Sequence, residues 1–215
     1  MAQNPPGTAE AEFSRSVAGK PIAEPPVAPD LSIADPAPLG LAAFALTTFV
    51  LSLSNAHVWP ATDAAVALTM YGGGVQLLAG MWEFKRGNTF GATAFSSYGG
   101  FWIAYFVFVK FIAHGVPAAD VAATVGTFLM AWGIFTAYMT IASLRVSVAI
   151  VVVFALLTIT FFILAIGAYQ ANVTITKIGG WVGVATAAAA WYASFAGVTN
   201  STFKKVVIPV VPLAR

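Results

Sequence analysis

The chain has 215 residues, of which 59% are hydrophobic and only 8% are charged, and its formal net charge at pH 7 is +2. Soluble domains carry roughly 25% charged residues, so this composition excludes an ordinary water-soluble surface and predicts an integral membrane protein. The chain contains no cysteine, which excludes disulfides, thiolate metal ligands and cysteine nucleophiles.

The first 34 residues differ from the rest of the chain. Six prolines alternate there with small and charged residues, and the first apolar run begins only near Leu39. This composition predicts a disordered tail over residues 1–34. A secretory signal would place a continuous apolar stretch close to the start, so we expect the tail to be retained and exposed to water.

Six apolar runs follow the tail, each close to the roughly 20 residues that a helix needs to cross a bilayer core about 30 Å thick. Short polar segments, or segments containing proline and glycine, separate the runs. They predict an all-α integral membrane protein with a six-helix transmembrane bundle over residues 35–200 and a C-terminal tail over residues 201–215. The predicted spans are about 38 to 58, 64 to 83, 93 to 113, 121 to 143, 147 to 168 and 178 to 198.

The basic residues fall mostly on one side of this six-span topology. Lysine and arginine concentrate on the cytoplasmic side of membrane proteins, so we expect both termini in the cytoplasm and the protein in the cell membrane. On the predicted cytoplasmic side lie Arg15, Lys20, Lys85, Arg86, Arg145, Lys204, Lys205 and Arg215, against Lys110 and Lys177 on the other.

Ionisable side chains are missing from the middle of every predicted span. Pumps and ion-coupled transporters usually place such a group there, so the sequence offers no obvious built-in proton relay. Glu83 lies close enough to a span end to act as a proton site; alternatively it pairs with Lys85, Arg86 or a neighbouring subunit. Neutral polar side chains at depth can replace part of the hydration of a small solute, or can form ordinary interhelical hydrogen bonds. The candidates are Thr47, Thr48, Asn55, Gln76 and Ser97.

Motifs for catalysis are absent from the sequence. It contains no G-x-S-x-G nucleophile motif, no H-E-x-x-H metal motif and no phosphate-binding G-x-x-x-x-G-K-[ST], and its two histidines are far apart. We therefore expect no enzymatic activity, no metal or other cofactor, and no nucleic-acid partner.

Small residues recur every four positions in the sixth span, at Gly179, Gly183 and Ala187. Such a stripe lets two helix backbones approach closely, within one bundle or between subunits. These residues alone are compatible with a transporter, with a pore for a small neutral solute such as water, ammonia or glycerol, and with a membrane scaffold that transports nothing.

Several motifs resemble those of the acetate uptake transporter family, and they keep the family's order over roughly residues 35 to 210. The segment before the first span is similar to the family signature N-P-A-P-L-G-L. Two further segments lie around the start of the third span, and three shorter ones lie in the last three spans. The matching segments are Asp35-Pro36-Ala37-Pro38-Leu39-Gly40-Leu41, Glu83 to Gly91, Thr93 to Trp102, Trp132 to Thr136, Leu164 to Gly167 and Gly180 to Gly183.

This resemblance implies a membrane channel or permease for acetate and related short-chain monocarboxylates, with succinate as a second substrate. It also implies a homo-oligomer, a hexamer of six-helix subunits, in which each subunit holds its own pathway. The family's pathway narrows at three apolar or aromatic side chains, which the motif matches place at Phe44, Tyr98 and Leu157. A hydrophobic neck of this kind can gate by dewetting and resists hydrated inorganic ions.

Asp35 departs from the family signature, which has asparagine at this position. A fixed negative charge at the mouth of an anion pathway should repel the substrate; alternatively, Asp35 caps the first helix. Unpaired N–H groups beside Pro36 and Pro38 are able to meet an incoming carboxylate. The missing midplane carboxylate favours passive transport, or a route in which acetate carries its own proton, over a built-in relay.

Overall fold

The structure, a computed structural model, describes residues 33–58 and 62–213. The predicted disordered tail therefore lies outside the described residues, apart from its last two positions. The described residues form six long α-helices and no β-strand. The helices are α1 (Ala37–Asn55), α2 (Thr62–Arg86), α3 (Thr89–Val107), α4 (Ala118–Ser143), α5 (Val148–Tyr169) and α6 (Val173–Phe203).

The helices coincide with the six predicted apolar runs to within a few residues at most ends, and polar side chains mark several starts. Asn88 precedes α3, and its side chain accepts a hydrogen bond from the Gly91 N–H at 3.2 Å. Ser147 accepts from the Ile150 N–H at 3.3 Å at the start of α5. Asn172 caps two N–H groups in the first turn of α6. These oxygens satisfy backbone donors that a helix start leaves unpaired.

Five helical segments among the described residues are long and apolar enough to cross a membrane by length and composition: α1, α3 together with its helical continuation to Gly115, and α4 to α6. The sixth helix, α2, is more polar and is not among these five. Its polar side chains face the interior of the bundle. Thr69, Gln76 and Glu83 repeat every seven residues, so they share one helix face, and all three are completely buried in the bundle. Before Lys85 and Arg86 at its end, α2 exposes many large apolar side chains, which include Leu68, Met70, Leu77, Leu78, Met81, Trp82 and Phe84.

The helices pack in the spatial order α3, α2, α1, α6, α5 and α4. The backbones of α3 and α4 approach each other at few points, and aromatic side chains fill the space between them. Phe101 of α3 stacks on Phe128 of α4 with ring centroids 5.2 Å apart, and it meets Trp132 edge to face at the same distance. This aromatic layer holds the two backbones apart and leaves room inside the bundle.

Elsewhere the helices approach closely because glycine faces backbone. A Cβ atom at Gly99 of α3 would lie 2.7 Å from the backbone nitrogen of Leu77 in α2 and 2.8 Å from the Gly73 carbonyl oxygen. In the small-residue stripe of α6, Gly183 lies against Ser52 of α1. The stripe therefore serves packing within the subunit.

The chain after α6 folds back onto the bundle. The helix continues three residues into the predicted C-terminal tail, and the segment 205–213 then runs beside the start of α5. The N–H groups of Val148 and Ala149 donate to the carbonyl oxygens of Val211 and Val210 at 2.9 and 3.2 Å. The Asn200 side chain holds the same segment through three hydrogen bonds. This segment satisfies donors in the first turn of α5 that would otherwise be unpaired.

The contact of α2 with α3 gives a matched pair of substitutions. Gly99→Ala places a methyl group against backbone, which cannot rotate away, so we expect a loss of about 1–3 kcal/mol of stability. Gly100→Ala adds the same methyl group where nothing lies within 4 Å, so we expect little change. Thermal unfolding of the two purified variants in detergent measures the difference. Equal unfolding temperatures would contradict this close packing.

Candidate substrate pathway

The three side chains predicted to form the neck meet in the middle of the bundle. Phe44 comes from α1, Tyr98 from α3 and Leu157 from α5, and each is at most 4% exposed. The ring centroids of Phe44 and Tyr98 are 5.9 Å apart. Three helices that are distant in sequence therefore bring these residues to one place.

Tyr98 is held in a fixed orientation by α4. Its hydroxyl oxygen lies 2.9 Å from the Thr136 hydroxyl oxygen. Thr136 donates its own proton to the Trp132 carbonyl oxygen at 2.7 Å, so Thr136 accepts and Tyr98 donates. The Tyr98 ring also packs edge to face on Phe135 at 5.6 Å. Because its single donor is already used, Tyr98 presents mainly an aromatic surface to its surroundings.

Two cavities lie on either side of these residues. The first has a volume of about 100 Å³ and reaches Ala37 and Asn88, near the starts of α1 and α3. The second has a volume of about 120 Å³ and reaches Asn55 and Thr176, at the opposite end of the bundle. Each volume suffices for several water molecules. Most residues that line the cavities are apolar, and both cavities are lined by Phe44, Tyr98 and Leu157.

Three of the five predicted polar candidates line a cavity. Gln76 lines the first cavity, is completely buried, and has no hydrogen-bond partner for either side-chain polar atom among the described residues. Thr48 and Asn55 line the second cavity, and the buried Thr48 hydroxyl also has no partner there. Unpartnered buried polar atoms are rare in proteins and call for an explanation.

The other two polar candidates lie elsewhere. Thr47 is completely buried, and its hydroxyl contacts the carbonyl oxygens of Ala43 and Phe44 at 3.0 Å each, within its own helix. Ser97 lines neither of the two cavities. The Thr47 hydroxyl is therefore bonded within its own helix and forms no interhelical hydrogen bond, which was the alternative to a place on the pathway.

Sequence reasoning missed Trp102 as a cavity residue. Its side chain is 4% exposed and lines the second cavity, and its indole N–H has no partner among the described residues. Trp102 follows Tyr98 by four residues, so the two lie on the same face of α3. This spacing is the signal by which the sequence could have identified it.

The motif before the first span folds into the start of α1. Asp35 accepts a hydrogen bond from the Ala37 N–H at 3.1 Å, and the same oxygen is paired with Arg86 at the end of α2. Pro36 is the residue immediately before the helix and makes no side-chain cap, so Asp35 satisfies the first N–H of α1 from one position further out, a role close to the helix cap that is one of its two interpretations. Ser194 of α6 donates to the Pro38 carbonyl oxygen at 2.6 Å. At the remaining positions of the motif, Pro36 is the residue before α1, Leu39 is 53% exposed, and Gly40 lies against the Phe95 ring.

Glu83 lies next to this end of the first cavity. It is completely buried, and neither carboxylate oxygen has a hydrogen-bond partner among the described residues. A Cβ atom at Gly91 would come within 2.8 Å of its carboxylate carbon, so the acid packs against the start of α3. Arg86, expected as a possible partner of Glu83, pairs with Asp35 instead.

Acidic and histidine side chains do not gather into a metal site. Among the residues that the structure describes, no three His, Asp or Glu side chains come close enough together to hold a metal ion. The chemistry available at the two cavities is therefore that of aromatic and aliphatic surfaces, with a few neutral donors.

A bundle of apolar helices around two cavities has the architecture of a multi-pass membrane protein. The chain belongs to the GPR1/FUN34/yaaH family, whose model matches residues 19–215. This membership confirms the resemblance to acetate transporters that the sequence motifs carry.

Relatives in bacteria and fungi match most of the chain. It is 44% identical over 195 residues to acetate permease A of Emericella nidulans, which covers 82% of this chain and 65% of the permease. It is 37% identical over 179 residues to the succinate-acetate/proton symporter SatP of Escherichia coli K12, covering 83% of this chain and 95% of SatP. It is also 39% identical over 181 residues to ammonia transport outward protein 2 of Saccharomyces cerevisiae, and the match covers 80% of this chain and 64% of that relative. The chain thus spans about two thirds of the length of these two fungal relatives.

The fold is similar to a solved structure. The bacterial acetate channel SatP superimposes with a TM-score of 0.78 at 38% sequence identity, covering 83% of this chain and 99% of the channel.

The hydrogen bond between Tyr98 and Thr136 can be tested by a double-mutant cycle. Thr136→Val leaves the buried Tyr98 hydroxyl without an acceptor, so we expect a loss of about 1–3 kcal/mol. In a Tyr98→Phe background no donor is left unpaired, so Thr136→Val should destabilise the protein less. The difference between the two losses of stability, the coupling energy, should be about 0.5–3 kcal/mol. Thermal unfolding of the four proteins in detergent measures the coupling. Strict additivity would show that the two hydroxyls do not interact.

Proposed function

We propose that this chain moves acetate and related short-chain carboxylates, including succinate, across a membrane without changing them chemically. The observation that carries the proposal is the pair of cavities on either side of Phe44, Tyr98 and Leu157, both lined by unpartnered polar groups. The names of acetate permease A and SatP support the substrate class.

In this proposal the three shared residues form the neck of the pathway. A neck lined by two aromatic rings and a leucine excludes water when it is narrow, so a hydrated inorganic ion loses its hydration there without compensation. A small carboxylate has an apolar end, and its protonated form carries no charge. Both features lower the cost of passing the neck.

Polar groups on the two sides of the neck compensate for part of the hydration that the substrate loses. On one side the Gln76 amide offers N–H donors, and on the other the Thr48 hydroxyl and the Trp102 indole N–H are available. Because none of these groups is charged, a carboxylate can be stabilised by them without being held too tightly to leave.

We also propose that all six helices cross the membrane, with both termini in the cytoplasm. The distribution of lysine and arginine supports this topology. α2 is long enough, at 25 residues, and its polar face is turned into the bundle while its apolar side chains point outward. A cell-membrane hexamer with one pathway in each subunit remains our proposal for the assembly, and native mass spectrometry tests its subunit number.

Glu83 is our candidate for a proton site. An ionised carboxylate that is buried without a partner carries a large desolvation cost, so we propose that Glu83 holds a proton in this state and exchanges it during transport. The word symporter in the name of the SatP relative supports a coupled proton. The alternative is that acetate carries its own proton through the neck.

A substitution at Glu83 distinguishes these two routes. Glu83→Gln keeps the shape of the side chain and removes the titrating group. We expect acetate uptake into proteoliposomes to lose its acceleration by an inward proton gradient, while uptake without the gradient continues. Asp120→Asn, at an exposed position at the start of α4, serves as control. Full acceleration in the Glu83→Gln protein would favour the route in which acetate carries the proton.

Widening the neck should change the size preference of uptake. Phe44→Ala or Tyr98→Ala removes a ring from the neck, so we expect uptake of lactate and succinate relative to acetate to rise several-fold. Phe49→Ala removes a ring from the same helix that packs on Trp191 instead, and it should leave the ratio unchanged. Unchanged ratios for acetate, lactate and succinate in both neck variants would refute the assignment.

The proposed function itself is tested by uptake of labelled acetate into proteoliposomes, with competing carboxylates and an uncoupler. Uptake above that of empty vesicles, reduced by unlabelled acetate and succinate, is the expected result. A second candidate is conduction of ammonia, because one relative is named for ammonia transport. Ammonia-driven alkalinisation of the vesicle interior without acetate uptake would favour that candidate. No transport of either solute would favour a membrane scaffold.

A further inference from the structure

An ion pair joins the start of α1 to the end of α2 beside the first cavity. One oxygen of the Asp35 carboxylate accepts the Ala37 N–H at 3.1 Å and is paired with the Arg86 guanidinium. Ala37 lines the first cavity, as does Asn88, two residues after Arg86. The pair therefore lies at the rim of this cavity, at the end away from the neck.

The two donors that hold Asp35 are the kinds of donor that bind free carboxylates. A backbone N–H at a helix start and an arginine guanidinium both favour an anionic oxygen. Asp35 supplies that oxygen from the chain itself, so the charge of Arg86 is already compensated. Deeper in the same cavity, the buried and unpartnered Gln76 amide has no such internal partner.

Both side chains of the ion pair are partly exposed to solvent. The side chains of Arg86 and Asp35 are 36% and 46% exposed. Exposed ion pairs contribute little to stability, so separating this one should leave the fold intact. Its main effect is then on the electrostatic potential at the rim, which acts on charged solutes approaching the cavity.

We propose that Asp35 is an internal carboxylate that occupies Arg86, and that this pair determines how strongly the first cavity prefers monocarboxylates over dicarboxylates. The proposal rests on the carboxylate transport proposed above. With Asp35 in place, the positive charge of Arg86 is compensated and attracts an anion only weakly. Without its charge, Arg86 attracts a monoanion and attracts a dianion more strongly, because the interaction grows with the charge of the solute.

Asp35→Asn tests this proposal without removing the helix cap, since the asparagine oxygen can still accept the Ala37 N–H. We measure KM and maximal rate of uptake for acetate and succinate in proteoliposomes at pH 7.5. At low ionic strength we expect KM for acetate to fall about fivefold and KM for succinate to fall further. The maximal rate should change little, and the effect should shrink above about 0.15 M salt.

Arg86→Gln gives an independent measurement in the opposite direction. It leaves the Asp35 charge uncompensated, so we expect KM for both substrates to rise, and more for succinate. The double variant Asp35→Asn with Arg86→Gln should return close to the unmodified protein. Lys85→Gln removes an exposed positive charge from the neighbouring position and serves as control, with KM unchanged.

The outcomes separate this inference from the proposed function. If the unmodified protein shows no uptake of acetate or succinate above empty vesicles, the proposed function fails, and this inference fails with it. If it transports both, but Asp35→Asn leaves each KM unchanged, the inference alone is wrong. Equal increases of KM in Arg86→Gln and Lys85→Gln would also overturn it, because the effect would then come from the overall charge of this face.

Discussion

The interior of a bilayer offers no water to satisfy polar groups, so each polar atom of this bundle needs a partner inside the protein or a place along a hydrated pathway. Most buried hydroxyls have a hydrogen-bond partner inside the protein. Thr136, Thr158 and Thr186 each donate to a carbonyl oxygen four residues earlier in their own helix. The exceptions therefore carry information. Among the buried side chains without a partner in the described residues, Gln76, Thr48 and Trp102 line the two cavities, where a solute can supply the missing partner, whereas Ser96 and Glu83 line neither.

The same constraint shapes the packing of the helices. Glycines let α2 approach α3 until backbone meets backbone, whereas large aromatic residues keep α3 and α4 apart. This contrast creates the internal space. Tyr98 lies where the aromatic layer reaches that space, and its bonds to α4 leave it little freedom to swing aside. If these residues form the proposed neck, it should open by movement of a whole helix more readily than by rotation of one ring.

The sequence predicts the six helices well, because each is a continuous apolar run, but it predicts the site unevenly. Phe44 and Leu157 look like ordinary packing residues, and only the resemblance to a family selects them from many similar side chains. Residue type alone does not separate Trp102 from a tryptophan that only packs in an apolar span; its place beside a cavity follows from its position on the Tyr98 face of α3. Asp35 and Arg86 are 51 residues apart, and no local pattern predicts their pairing. The return of the C-terminal segment onto α5 likewise depends on long-range hydrogen bonds that have no periodic signature.

The two acids beside the first cavity illustrate opposite solutions to the cost of a charge. Asp35 is exposed and compensated by Arg86, whereas Glu83 is buried and has no partner among the described residues. Beyond the rim, the cavity walls provide only neutral groups, and the neck provides hardly any polar group at all. In the proposed pathway, a carboxylate that enters from this end meets the Asp35–Arg86 ion pair first, then neutral donors, then an apolar barrier. An uncompensated positive charge deeper in the cavity would bind an anion tightly and slow its release, so neutral cavity walls fit the proposed rapid passage better than tight binding.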